Sequence, residues 1–148
     1  MGEYKCFLVQ PVDVHRIWNG IEPIIQASLD TTQQKQGIKY FTSEDYKKII
    51  EDNVVQLFVT VKDKEIKIIA ITQIQFYPRF HVLRWMQCGG KELKYCHKVL
   101  SDKIEEFARM KECKYMLITG RKGLKHSLEA MGWGEMKAIH QINMIKEL

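Results

Sequence analysis

The chain has 148 residues and a mass of 17.5 kDa, and we expect one domain over residues 1–148. Its 45% hydrophobic and 28% charged residues exclude a disordered chain, and no apolar run approaches the ~18 residues of a membrane-spanning helix, so no membrane partner is expected. The formal net charge of +5 favours anionic partners, but acids are interspersed with the bases, so a nucleic-acid partner is not indicated.

The N-terminal quarter predicts a strand, a helix and a loop. Residues 4–10 form the expected strand, which ends at Pro11. Apolar residues then recur with a helical period from Asp13, and Pro23 interrupts that period. The polar run at 31–37, TTQQKQG, predicts a loop.

The next segment predicts a second helix and a hairpin. Thr42–Asp45 has the form of a capping box, and the helix that it begins ends near Asn53. Alternating residues over 55–61 predict a strand, Asp63-Lys64 a turn, and 67–77 a long strand that ends before a proline.

The C-terminal half predicts strands separated by helices. A strand over 82–87 runs into Gly89-Gly90-Lys91, and an amphipathic helix of about five turns follows from Glu92. A buried strand over 115–119 follows that helix.

Beyond it we expect a turn over 120–123, a short helix that ends at Gly132, and a final strand over 137–145. The order β-α-α-β-β-β-α-β-α-β predicts an α/β (α+β) fold, with a mixed, mostly antiparallel sheet flanked by helices.

The candidate site is the turn Gln87-Cys88-Gly89-Gly90-Lys91. A flexible basic turn at the start of a helix exposes backbone N–H groups at the positive end of the helix dipole, which suits phosphate or another anion. Lys91, Lys94 and Lys98 share one helix face. Arg121, Lys122 and Lys125 follow the next strand, and if the two strands are neighbours all six cations converge. A solvated basic face is an equally good interpretation.

The four cysteines, Cys6, Cys88, Cys96 and Cys113, are far apart and form no C-x-x-C pair, which favours reduced thiols in a cytoplasmic setting. A zinc site built from Cys88, Cys96, His97 and Cys113 matches no common spacing, so buried thiols are the better interpretation and no metal is predicted. A lowered pKa at the helix N-terminus would make Cys88 a nucleophile, but no histidine and acid are placed beside it, and packing is the expected role.

No general base stands out, and the catalytic residues stay unassigned. The candidates are His81, His97, His126 and Glu92. A different interpretation takes Tyr77, Phe80 and Trp85 as base-stacking groups, with Arg79 and Arg84 on phosphates. Core packing of the strand aromatics is the stronger interpretation.

The element order, with the runs FYPRFHVLRWMQCGGKE and ITGRKGLKHSLEAMGW, resembles the GNAT superfamily of acetyl-CoA-dependent N-acetyltransferases and its members in tailed bacteriophages. The family's turn is Gln or Arg, then x-x-Gly-x-Gly or Ala, and here it is replaced by the sequence from Gln87 to Lys91. The family's later Asn, Tyr and Gly-Phe correspond to Arg121, Leu128 and Gly132-Trp133. Leu128 has no proton to give a leaving thiolate.

The resemblance implies acetyl transfer from acetyl-CoA to an amine by direct attack, in the cytoplasm. The implied cofactor-binding residues are Gln87, Cys88, Gly89, Gly90, Lys91, Arg121, Lys122 and Lys125. The alternative is a non-catalytic GNAT-like phage accessory or virion-associated protein that binds a protein partner. The acceptor and the oligomeric state, including a homo-oligomer, stay open.

Overall fold

The computed structural model describes residues 2–37, 39–119, 125–134, 136, 144, 146 and 147, without the side chains of residues 35, 36, 125 and 127. Two compact units divide the chain, residues 1–118 and residues 119–148. In the first unit the strands are β1 (Lys5–Val9), β2 (Gln56–Lys62), β3 (Glu65–Phe76), β4 (His81–Gly90) and β5 (Cys113–Ile118), and the helices are α1 (Val14–Gln36), α2 (Ser43–Glu51) and α3 (Leu93–Met110). The second unit contains α4 (Lys125–Ala130).

The five strands form one sheet in the order β1-β2-β3-β4-β5. The first three pairings are antiparallel and β4 pairs with β5 in parallel. A hairpin joins β2 to β3 through Asp63 and Lys64, both of which have positive φ. The mixed sheet and the hairpin confirm the sequence prediction.

Strand alternation divides the core into two clusters, one on each face of the sheet. The first core cluster packs α1 and α2 against β2 and β3, with Ile21, Ile25 and Ile71 fully buried. The second packs α3 on the opposite face, around Phe58 and Leu100. The helical period predicted for α3 is therefore the stripe that it buries.

The predicted interruption at Pro23 and the predicted loop at 31–37 are wrong, because helix α1 continues to Gln36. Its apolar stripe crosses the proline without a break, and burial of that stripe outweighs the one backbone hydrogen bond that proline removes. The stripe consists of Val14, Trp18, Ile21, Ile25 and Leu29.

The polar end of α1 is helical because its side chains have partners. Gln33 accepts hydrogen bonds from the N–H groups of Tyr40 and Phe41, at 2.7 and 2.8 Å, and donates to the Phe41 carbonyl at 3.0 Å. Gly37 ends the helix in the left-handed conformation, at φ 71°.

Helix α2 begins as predicted. The Thr42 side chain accepts from the Asp45 N–H at 3.1 Å, and the Asp45 carboxylate accepts from the Thr42 N–H at 2.9 Å. This reciprocal capping box satisfies two N–H groups that the first turn leaves without helical partners.

Strand β4 is longer than predicted and absorbs most of the expected turn. It continues through Gln87, Cys88 and Gly89 to Gly90, pairing with β3 as far as Ile68. Only Lys91 and Glu92 connect it to α3. The predicted final strand at 137–145 and the turn at 120–123 lie outside the described residues, apart from Met144.

In the second unit, α4 occupies the predicted short helix. The N–H groups of Met131 and Trp133 donate to the Leu128 carbonyl. Gly132, which lies between them, has a φ of 91°. The predicted stop at Gly132 is therefore confirmed.

Candidate functional site

The candidate site, the cleft, lies along the edge of β4 that continues past the end of β5. The parallel pairing of the two strands runs from His81 opposite Cys113 to Trp85 opposite Ile118, and β4 then continues to Gly90. Residues 86–90, the free segment of β4, pair with β3 but with no part of β5. Among the described residues, one edge of this segment therefore has no strand partner.

A β-bulge at Met86 marks the start of the free segment. Trp85 lies opposite Thr72 and Gln87 lies opposite Ile71, so Met86 is an extra residue in β4. Met86 packs against the first core cluster, and Gln87 also reaches α1 on that face. A bulge bends a strand and increases its twist, and this one coincides with the point where the pairing of β4 with β5 ends.

Some backbone groups of the free segment point away from β3. The Lys91 N–H donates to the Lys67 carbonyl of β3 at 2.6 Å. Because N–H directions alternate along a strand, those of Gly90 and Cys88 point away from β3. The Cys88 carbonyl also points away from β3, since it accepts a hydrogen bond from Ser28 Oγ at 3.2 Å.

The two glycines have packing reasons of their own. A Cβ on Gly90 would lie 2.3 Å from the Lys67 carbonyl oxygen, and its φ of +129° disfavours other residues. A Cβ on Gly89 would lie 2.9 Å from Ser28 Cβ. Glycine is thus required here for contact with β3 and α1, independently of any ligand.

The Gln87 side chain is held by α1. Its amide donates to Ser28 Oγ, and it lies 3.4 Å from Thr32 Oγ1. The predicted interruption at Pro23 and the predicted loop over 31–37 left Ser28 and Thr32 unrecognised as partners of β4. A helix period continued past Pro23 places both residues on one face of α1 but does not reveal their contacts with β4.

The N-terminus of α3 offers two N–H groups to the cleft end of β4. The helical hydrogen bonds begin with Tyr95 and Cys96, which donate to the Glu92 carbonyl at 2.9 and 3.2 Å. The N–H groups of Leu93 and Lys94 precede them and lie at the positive end of the helix dipole. The N–H groups that no helical hydrogen bond uses are therefore those of residues 93–94, which follow Lys91 closely in the chain, and the predicted anion site over Gln87–Lys91 stays a prediction.

Glu92 belongs to a polar cluster and is a poor candidate for a general base. Its carboxylate accepts from the Tyr4 hydroxyl at 3.3 Å and lies 3.3 Å from Lys67 Nζ. Lys67 also binds Glu65 at 2.9 Å. The Glu65 hydrogen bond raises the pKa of Lys67, and Lys67 lowers the pKa of Glu65.

Among the described residues, no acidic side chain forms a hydrogen bond with the candidate histidines. His81 packs edge-on against Phe76, with ring centroids 4.7 Å apart. His97 Nδ1 lies 3.0 Å from the Lys94 carbonyl. His126 is exposed on α4.

Cys88 is a packing residue, as predicted. It packs against the second core cluster, and burial raises its pKa to about 12, which is the opposite of an activated thiol. Burial also raises the pKa values of Cys96 and Cys113. Across the described ranges, no three His, Cys, Asp or Glu residues are grouped as a metal would need.

The basic face is partly neutralised. Lys98 forms an ion pair with Asp102 at 2.7 Å, and Lys94 Nζ lies 6.0 Å from the Tyr95 ring. Arg121 and Lys122 lie outside the described residues, and of Lys125 only the backbone is described. The convergence of the six cations therefore stays a prediction.

The predicted base-stacking aromatics do not form one platform. Tyr77 and Phe80 are neighbours at the β3–β4 turn, with ring centroids 6.0 Å apart. Trp85 instead packs against the second core cluster, beneath α3. Core packing explains Trp85, as the sequence analysis favoured.

Arg84 lies beside the cleft, a position that was not predicted from the sequence. Its Nε donates to Gln75 Oε1 at 3.3 Å. A single arginine within the apolar run HVLRWM is the signal that could have identified it.

Neither a protein-family model nor a curated protein sequence matches the chain. Solved structures do match it. An aminoglycoside acetyltransferase from an uncultured soil metagenomic sample, in complex with sisomicin, has a TM-score of 0.64 at 13% identity, covering 97% of each chain. The ribosomal-protein-alanine N-acetyltransferase of Brucella melitensis biovar Abortus 2308 has a TM-score of 0.66 at 10% identity, covering 97% of this chain and 100% of that one.

A predicted acetyltransferase of Clostridium acetobutylicum with acetyl-CoA has a TM-score of 0.65 at 9% identity, covering 97% of this chain and 96% of that one. At such identities the likeness establishes the fold. The chain has the α/β fold of GNAT acetyltransferases, as the sequence resemblance implied. Among the described residues, no helix is long and apolar enough to cross a membrane.

Proposed function

We propose that this chain is a GNAT-type N-acetyltransferase, acting in the cytoplasm, that moves an acetyl group from acetyl-CoA to an amine. The observation that carries the proposal is the free segment of β4, whose outer edge has no strand partner among the described residues. A fold that resembles acetyltransferase structures over nearly the whole chain supports it.

The residues present fit acetyl-CoA. The outward N–H groups of Cys88 and Gly90 suit the amide oxygens of a pantetheine arm lying along the strand edge. The N–H groups of Leu93 and Lys94, with the Lys91 ammonium, suit the diphosphate. In this proposal Gln87 and Gly89 hold the edge in place through α1, and Arg121, Lys122 and Lys125 supply further positive charge.

Acetyl-CoA supplies an activated thioester. The acceptor nitrogen bonds to the carbonyl carbon, the C–S bond breaks, and the proton lost by the amine balances the one gained by the thiolate. Leu128 has no proton to donate, so water carries it. The chain's contribution is therefore positioning of the two reactants on a rigid strand.

Calorimetry with acetyl-CoA and CoA tests the proposal. We expect both to bind, and amide hydrogen exchange at Cys88 and Gly90 to slow when either is bound. Lys91→Gln should weaken CoA binding several-fold through loss of one phosphate contact. The control Lys48→Gln, an exposed lysine on α2, should not. Absence of binding at millimolar ligand would overturn the proposal.

A second candidate is a non-catalytic module of the same fold that binds a protein partner, as in a phage accessory or virion-associated protein. Leu128 in place of an acid favours the non-catalytic module, and so does the ion pair between Glu92 and Lys67, which occupies one of the candidate general bases. A screen of amines for CoA release separates the two: release with any acceptor excludes the non-catalytic module. Binding of acetyl-CoA without release from any acceptor would support it.

A further inference from the structure

Arg84 stands at the base of the cleft, on the face of the sheet that α1 covers elsewhere. It lies opposite Gln73 of β3 and Leu117 of β5. The next residue, Trp85, makes the last pair with β5. The Arg84 side chain contacts Gln75, which by strand alternation lies on the same face of the sheet as Ile71 and the first core cluster.

Arg84 is half-buried, and among the described residues its hydrogen-bond partner is the neutral side chain of Gln75. Gln75 Oε1 accepts from Arg84 Nε at 3.3 Å and from the Tyr77 hydroxyl at 3.2 Å. Among the described residues, no carboxylate forms an ion pair with Arg84. The residues that the register places around it on this face are all uncharged: Gln73, Gln75, Val82, Met86, Tyr115 and Leu117.

A partly desolvated cation without a counter-charge favours an anion from outside the chain. Gln75 occupies Nε, which leaves the two Nη groups as a planar fork. This fork matches a carboxylate in a bidentate arrangement. A polycationic amine would instead bring like charge to Arg84.

We propose that the acceptor is an amine that also carries a carboxylate, as an amino acid or a small peptide does, and that Arg84 holds this carboxylate. The inference rests on the proposed acetyl transfer and names its substrate class. Arg84 takes no part in bond making, so it is a specificity-determining residue. A phosphate group offers the same oxyanion chemistry, and the experiment separates the two sources.

The test measures CoA release with matched acceptors: L-alanine against ethylamine, L-phenylalanine against phenethylamine, and O-phosphoethanolamine and spermidine as further arms. We expect the carboxylated member of each pair to have a higher kcat/KM by about tenfold, which corresponds to ~1.4 kcal/mol. Arg84→Gln should remove this difference through a raised KM, and Arg84→Lys should restore part of it. Arg79→Gln, which changes an exposed arginine at the β3–β4 turn, should leave it unchanged.

Equal rates within each pair, or a preference for spermidine or O-phosphoethanolamine, would overturn the inference while acetyl transfer stands. If no acceptor reacts, the inference is tested by calorimetry of N-acetyl-L-alanine binding in the presence of CoA. Binding that Arg84→Gln abolishes and Arg79→Gln preserves supports the carboxylate site. No binding to the wild type overturns it, whatever the fate of the proposed catalysis.

Discussion

The Gly89-Gly90 pair illustrates how one residue pattern has two explanations that the structure can separate. The sequence suggests glycines that admit a phosphate, whereas the atoms nearest to their missing side chains belong to β3 and α1. A bulky replacement at Gly90 would therefore damage the sheet before it tested any ligand.

We expect Gly90→Ala to lower the free energy of unfolding by at least about 1–3 kcal/mol from its backbone conformation alone, and further from the contact with Lys67. Gly37→Ala is the matched control, because Gly37 also has positive φ but nothing lies within 4 Å of its added Cβ. Urea unfolding of both variants measures the difference. Equal losses would show that the contact with Lys67 relaxes freely.

Cys88 gives a pH dependence of stability. Its pKa rises from the ordinary 9.0 to about 12 in the folded chain, so the unfolded thiol ionises first as pH rises. Its contribution to stability is full below pH 9 and is lost between pH 9 and about 12, by at most about 1.4 kcal/mol per pH unit.

The prediction is that wild type and Cys88→Ala differ in unfolding free energy by a constant amount below about pH 8, and that the difference shrinks above about pH 9. Urea midpoints measured across this range check it. Parallel curves for the two proteins would contradict a buried thiol at this position. The same burial explains why Cys88 does not serve as a nucleophile.

Helix α1 shows why local sequence signals can fail to predict an element of secondary structure. Pro23 and the polar run after it oppose a helix locally, and the helix forms because distant groups complete it. Gln33 organises residues 40–41 before α2, and Thr32 lies near Gln87 of β4. These partners lie too far along the chain for a periodicity to reveal them.

We expect Gln33→Ala to lower the free energy of unfolding by about 1–3 kcal/mol, since it removes three hydrogen bonds. The amides of Tyr40 and Phe41 should exchange faster. Gln34→Ala, a change of the exposed neighbour on the same helix, should have little effect. Hydrogen exchange with denaturant titration checks both, and unchanged protection at residues 40–41 would refute the role of Gln33.

Elements with local causes were predictable from the sequence. The Thr42–Asp45 capping box, the Asp63-Lys64 turn and the buried stripe of α3 depend on neighbours in the sequence, and each is found as expected. The form of the predicted turn at Gln87–Lys91 was not predictable, because most of it is strand. Gly89 and Gly90 are weak strand formers, and only pairing with Ile68 and Ile69 makes them part of β4.

The net charge of the chain, +5, affects the expected affinity for the proposed cofactor. A field of many exposed lysines attracts a polyphosphate and is screened by salt, because the Debye length falls from ~10 Å at 0.1 M to ~3 Å at 1 M. The proposed contacts of the pantetheine arm with backbone N–H groups are hydrogen bonds between neutral groups, so we expect salt to affect them little.

Acetyl-CoA binding should therefore weaken several-fold as NaCl is raised from about 0.05 to 0.5 M, whereas binding of S-acetylpantetheine should hardly change. Calorimetry at several salt concentrations measures both. If the two ligands responded equally, the lysines near α3 would have no part in binding.

The bulge at Met86 determines where β4 can lose one residue. A strand lacking residue 86 would still pair without a break, with Trp85 opposite Thr72 and Gln87 opposite Ile71, and each later side chain would keep its present face. Elsewhere in a regular strand, losing one residue reverses every face beyond it. Position 86 is thus where β4 can tolerate a one-residue deletion, at the loss of one apolar contact and of the local bend in the strand.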